Sequence, residues 1–377
     1  MTTQPWPLAD ASTLAPVAEH EDLRKVMRDI LDTHASHEQV RRAADSPHGY
    51  SADLWRLLND EMNVGSLAVS EEQGGLGFGV GILAVILEEA GRALLPEPLL
   101  TSAVLGVRAV LAAPPGGVPD DVVNDVLAGR LVVTVATGTP ETGALTATGS
   151  AEGPIVSGRI ARVPVGETAD FVVVSAGAPG EEPLYLVDLR GAGVARRTRL
   201  EVLDLTRRQA TIELDAAPAY LLAGPADAAP VLAELATLGT VALAAEHVGM
   251  IEAMLEMTRD YLGQRHQFGR PLGSFQAIKH RLADLLVDLE RARSAARYAA
   301  AVFDEDPVSV DLPAAVAGAV CTDAVIRAAH ETVQLHGGIG FTWEHPAHYY
   351  VRRALGDEAT FGSARGHRAQ IARLLGV

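Results

Sequence analysis

Apolar residues recur at three-and-four spacing through the first third of the chain. The run Asp22-Leu23-Arg24-Lys25-Val26-Met27-Arg28-Asp29-Ile30-Leu31 shows the period, which predicts an amphipathic helix. Gly79 and Gly81 open a second apolar stretch over residues 82–95, with Glu88, Glu89 and Arg92 on its polar side. Pro96 and Pro98 end it, because proline cannot continue a helix.

Between residues 129 and 222 the period changes. Residues 131–135, 171–174, 183–187 and 210–214 are short β-branched runs separated by Gly, Pro and Asp clusters. From residue 228 the helical period returns, predicting helices over 232–261, 278–303 and 314–335. The second of these sets Leu282, Leu285, Leu286 and Leu289 against Arg281, Asp284, Asp288 and Glu290. The predicted fold is α+β and multidomain. It has an N-terminal helical domain (1–128), a middle antiparallel β-barrel or sandwich domain (129–222) and a C-terminal four-helix-bundle domain (223–377).

The 377 residues carry a net charge of −17, which argues against nucleic acid as a partner. Cys321 is the one cysteine, so a disulfide framework and a cysteine zinc site are excluded and a reducing, cytoplasmic setting is expected. The first residues lack a signal-peptide pattern, and no uninterrupted apolar run approaches the roughly 18 residues of a membrane span.

Several segments could carry chemistry. Gln264-Arg265-His266-Gln267-Phe268-Gly269-Arg270-Pro271-Leu272-Gly273-Ser274-Phe275-Gln276 joins two predicted helices, and Ser274 is placed to cap the second. An arginine and amides beside a helix start suit a phosphate, although a solvated corner explains the same residues. In Gln334-Leu335-His336-Gly337-Gly338-Ile339-Gly340-Phe341 the glycines admit a ligand or simply stop a helix. The run follows no strand, so it is not a dinucleotide fingerprint of a doubly wound sheet. Ser70-Glu71-Glu72-Gln73-Gly74-Gly75-Leu76-Gly77 reads as a turn. His345 and His348, with Glu344, raise a metal site, but Pro346 between them spoils one helical face and no metal is expected.

Taken together, these motifs make the chain resemble the acyl-CoA dehydrogenase family over nearly its whole length. The segments that carry the resemblance are Glu72-Gln73-Gly74-Gly75-Leu76-Gly77, Arg265-His266-Gln267-Phe268-Gly269 and residues 334–341. The resemblance implies FAD as cofactor, an acyl-CoA substrate and an electron-transfer flavoprotein as acceptor. It also implies α,β-dehydrogenation, in which a carboxylate takes the α proton and the β hydrogen leaves as hydride to the flavin. In the family a neighbouring subunit holds much of the flavin's adenine and phosphate end. The matching positions here are Arg265, Gln267, Phe268, Gln276, Gln334, Gly337 and Gly338.

The resemblance fails where the family keeps its base. A glutamate is expected at Phe361, in Thr360-Phe361-Gly362-Ser363, and an alternative base position falls near Gly239 and Thr240. The β-domain segments expected beside the flavin ring are degenerate at 137–143 and 162–169. One reading is a shorter, base-less subunit of an α2β2 heterotetramer, of the kind often used for sterol side chains, that completes a partner's FAD site. A second is a self-sufficient homotetramer with a relocated base at Glu358, Asp357 or Glu246. A third is a flavin-free scaffold. Against the overall acidity, Arg259, Arg265, His266, Arg270, Lys279, His280 and Arg281 form a basic corner sized for one dinucleotide.

Overall fold

The computed structural model describes residues 18–136, 143–150, 153–178 and 181–377. The segment 137–142 therefore lies outside the described residues. In chain order the first domain holds α1 (Ala18–His34), α2 (His37–Asp45), α3 (Ala52–Met62) and α4 (Gly79–Ala93). A π-helical stretch, Leu99–Gly106, runs into α5 (Val107–Val110), and α6 (Asp120–Leu127) follows. Polar residues set the ends: Ser36 and Gln39 form a capping box on α2, and the Ser51 side chain caps α3. α4 stops at Leu94, in the left-handed conformation, before the two prolines.

The polar side of α4 does not face water. Glu88 and Glu89 are buried, and Arg24 of α1 donates to both at 2.6 Å. Arg28 donates to Glu89 at 2.7 Å. Charges that look like a solvated face in sequence are thus an ion-paired seam between two helices.

The middle domain is a seven-stranded sheet in the order β1-β4-β5-β7-β3-β2, with β6 beside β7. The strands are β1 (Val133–Val135), β2 (Thr146–Ser150), β3 (Gly153–Pro164), β4 (Phe171–Ser175), β5 (Leu184–Asp188), β6 (Val194–Arg199) and β7 (Gln209–Ala223). All pairs are antiparallel except β1 with β4.

The C-terminal domain begins with α7 (Pro225–Gln264). A small hairpin of β8 (His266–Gln267) and β9 (Arg270–Pro271) leads to α8 (Gln276–Glu305). Then come α9 (Asp311–His336), α10 (Ala347–Phe361) and α11 (Ala364–Leu375). Among the described residues two helical segments, α7 and residues Asp311–Phe341, are long and apolar enough to cross a membrane; here α7 and α9 pack as the bundle's core, with Glu246 and His247 buried inside. α4 crosses α7 at two glycines. A Cβ on Gly91 would sit 2.1 Å from the Glu246 carbonyl oxygen, and one on Gly249 1.7 Å from that of Glu88. Only glycine permits this approach, which seats the first domain on the bundle.

Candidate functional site

Segments distant in sequence meet at one end of the bundle. Tyr261, near the end of α7, stacks on His336, the last residue of α9, with ring centroids 4.6 Å apart. Arg281 of α8 donates to Glu331 of α9 at 2.6 Å. The turn between α7 and α8 therefore lies beside the glycines that follow α9. Gly337 has φ 64° and ψ −142°, a conformation closed to side-chain-bearing residues, and a Cβ on Gly337 or Gly338 would meet nothing within 4 Å. The two glycines present bare backbone to the outside.

The side chains of this end are equally bare. Phe268 is 90% exposed at the hairpin tip, and Arg265, Gln267, Gln276 and Gln334 are exposed. Among the described residues the Arg265 guanidinium and the Lys279 ammonium have no ion-pair or hydrogen-bond partner. Other members of the basic corner are engaged: Arg259 with Asp260, Arg281 with Glu331, and Arg270 over the Phe275 ring at 3.9 Å. Ser274 does not cap α8. Its hydroxyl donates to the Pro271 carbonyl at 2.7 Å, and Phe275, at the N-cap of α8, supplies no side-chain cap. An unpaired guanidinium, uncapped helix amides and bare glycines suit an anionic dinucleotide such as FAD, approached from outside this subunit. The segment 72–77 is not part of this end; it forms a turn before α4, with Leu76 half-exposed.

The expected base position lies elsewhere, between the bundle and the β domain. Phe361 ends α10 half-buried, with the Arg207 guanidinium 5.3 Å from its ring centroid. Arg207 also binds two of the three candidate carboxylates. It donates to Asp357 and, at 2.6 and 2.8 Å, to both oxygens of Glu246. Burial alone would raise the Asp357 carboxyl, but Arg207, helped by His247 and Arg353, holds it below the usual carboxylate range. Both groups are buried and ion-paired to the same guanidinium. Glu358 is half-buried and has no partner among the described residues. Gly239 faces Leu105, whose side chain would lie 3.5 Å from a Cβ at that position, and Thr240 bonds back to the Ala236 carbonyl.

Sequence reasoning missed the residues that organise this interface. Arg353 is wholly buried and donates to Asp204, Thr206 and the Leu95 carbonyl. Glu97 is buried, accepts from the Ser51 amide at 3.1 Å, and burial raises its carboxyl to about 7. Neither carries a local signal: Arg353 reads as a second arginine in a helix, and Glu97 as a loop residue between prolines. As for metal, no group of three or more ligating side chains occurs among the described residues, and His345 contacts His336 rather than an ion site.

Residues 17–113 match the acyl-CoA dehydrogenase N-terminal domain family, and residues 230–376 match the C-terminal domain family. The acyl-CoA dehydrogenase IpdE2 of Mycobacterium tuberculosis is 35% identical over 93% of this chain and 96% of its own length. The acyl-CoA dehydrogenase FadE27 of the same organism is 32% identical over 94% of this chain and 96% of its own. Among solved structures, the ChsE4–ChsE5 complex from Mycobacterium tuberculosis superposes with a TM-score of 0.86 at 32% identity, covering 96% of this chain and 98% of that one. Butyryl-CoA dehydrogenase from Megasphaera elsdenii shares the fold, with a TM-score of 0.87 at 20% identity over 96% and 99% of the two chains. The chain therefore belongs to the acyl-CoA dehydrogenase family of FAD-dependent oxidoreductases.

Proposed function

We propose that this chain is the base-less subunit of a two-component acyl-CoA dehydrogenase, and that its exposed bundle end completes the FAD site of a catalytic partner. The asymmetry of the two half-sites carries the reading. The outward half keeps Arg265, Phe268, Gln276, Gln334, Gly337 and Gly338 bare. The inward half has Phe361 for a base and two carboxylates locked on Arg207. Bound FAD would accept the β hydride. Arg265 and the first amides of α8 would hold the diphosphate, Gly337 and Gly338 would let it approach the backbone, and the partner's carboxylate would take the α proton. Two relatives solved as pairs, ChsE4–ChsE5 and the Tcur3481–Tcur3483 steroid enzyme, support this assembly and a steroid-derived acyl group. Electron-transfer flavoprotein as acceptor and a cytoplasmic setting belong to the same reading.

The test is to purify the chain alone and with its catalytic partner, and to measure flavin per chain and acyl-CoA-dependent dye reduction. The chain alone is expected to be colourless and inactive; full flavin loading with turnover would overturn the proposal. In the assembled pair, Arg265→Ala should weaken FAD binding by roughly tenfold or more, as loss of a charge-assisted contact does. One observation favours a second reading, a relocated base: Glu358 is unpaired and lies one helical turn before Phe361. Under that reading Glu358→Gln abolishes turnover; under ours it leaves turnover unchanged.

A further inference from the structure

His336 is 2% exposed. Its Nδ1 lies 2.7 Å from the Thr332 carbonyl oxygen, which only accepts, so Nδ1 carries the proton and Nε2 the lone pair. Nε2 is buried without a hydrogen-bond partner. Tyr261 stacks on one side of the ring, and His345 contacts it with centroids 4.3 Å apart. Tyr261 stands four residues before Arg265, Gly337 and Gly338 follow His336 directly, and His345 closes the turn that bears Phe341 and Trp343. Three arms of the bundle end thus radiate from one imidazole.

More imidazoles surround it. His348 packs on Tyr349 at 4.4 Å and on Trp343 at 4.7 Å, and His37 of α2 meets Tyr349 at 5.0 Å. The groups facing the cluster are mostly neutral or cationic: His37 and Arg41 from α2, Tyr261 from α7, His345 from the turn, His348, Tyr349 and Arg352 from α10. Asp45 of α2 acts on Tyr349 alone in this group.

We propose that the Tyr261–His336–His345 stack is a positioning clamp that fixes the spacing between Arg265 and the Gly337–Gly338 turn, and that it holds only while its imidazoles are neutral. The clamp's role in flavin binding rests on the proposed half-site. Burial lowers His345 to about 4, with His336, His37 and His348 adding to the effect. Burial and Arg352 lower His348 to about 4. Burial also lowers His336 and His37. A proton on Nε2 of His336 would be a buried charge with no acceptor, beside a second imidazole, so acid favours the opened clamp.

The test is a distance measurement between spin labels on cysteines placed at Gln267 and Phe341, both exposed; Cys321 is buried and stays unlabelled. At neutral pH the wild type should give a narrow distribution, which broadens at about pH 5. His336→Leu should be broad at both. His336→Phe, which stacks but does not titrate, should be narrow at neutral pH and broaden less in acid than the wild type, through His345 alone. Tyr261→Leu opens the same stack from α7 if His336→Leu fails to fold. A narrow distribution in the leucine variants, or the same acid response in wild type and His336→Phe, overturns the clamp. In the assembled pair, FAD affinity should fall roughly tenfold in His336→Leu and recover in His336→Phe. Labels that behave as expected in a pair that binds no FAD would leave the clamp standing and remove the half-site reading.

Discussion

Arg207 determines what Asp357 and Glu246 can do. One guanidinium bridges the two buried carboxylates, which ties both to the β domain. Replacing Arg207 by Met leaves two buried carboxylates short of a partner and should cost about 3–5 kcal/mol, read from urea unfolding. The sequence locates Phe361 by counting from the glycine motif, but Asp357 and Arg207 are 150 residues apart and no local pattern links them. Two pH effects follow at this scale and have opposite signs. Glu97 is raised from 4.5 to about 7, so its neutral form is the one the fold favours. Its contribution to stability is complete below 4.5 and lost as pH rises through about 7; Glu97→Gln should flatten that limb of a thermal-midpoint profile. His345 and His348 are lowered from 6.5 to about 4. The unfolded chain therefore binds more protons over that interval, and stability falls as pH drops from 6.5 toward 4.

At the scale of elements, the period is a guide to the long helices and to four strands: the runs 131–135, 171–174, 183–187 and 210–214 fall on β1, β4, β5 and β7. The three long C-terminal helices were legible because their apolar spacing is local. β3, the longest partner of β7, was not. Its pairing slips between Val156 and Gly158 and again between Ile160 and Val163, and Arg162 takes φ 53°, so the alternation a strand should show is broken twice. The face of α8 was read only in part: Leu285 and Leu289 are buried, but so is Asp288, paired with Arg327, while Leu286 is 49% exposed. The crossing of α4 and α7 gives the sharpest element-scale expectation. Gly249→Ala puts a methyl 1.7 Å from a backbone oxygen, which the helices can relieve only by separating. A loss of about 1–3 kcal/mol or more in unfolding free energy is expected, with the thermal midpoint as the check.

For the whole molecule, the order helices, strands, helices was legible because each period is a property of neighbouring residues. The interfaces between the three were not, because the residues that make them, the glycines of the α4–α7 crossing and long side chains such as Arg207 and Arg353, lie far apart in sequence. Arg353 of α10 binds Leu95 of the first domain and both Asp204 and Thr206 of the β domain. Three domains joined through one buried guanidinium should melt together. Far-ultraviolet and near-ultraviolet circular dichroism should give coincident transitions in the wild type, and separated ones in Arg353→Leu.

The bare bundle end also bears on how the chain is made. Phe268, Phe341 and Trp343 are 90%, 77% and 54% exposed, a greasy rim that water does not favour. A copy whose rim stays uncovered would carry it into a crowded cell, where exposed apolar surface attracts chaperones, proteases and other copies. In the two-subunit assembly proposed above, matched dosage of the two polypeptides would be a condition of solubility as well as of turnover, and an excess of this one would burden protein quality control.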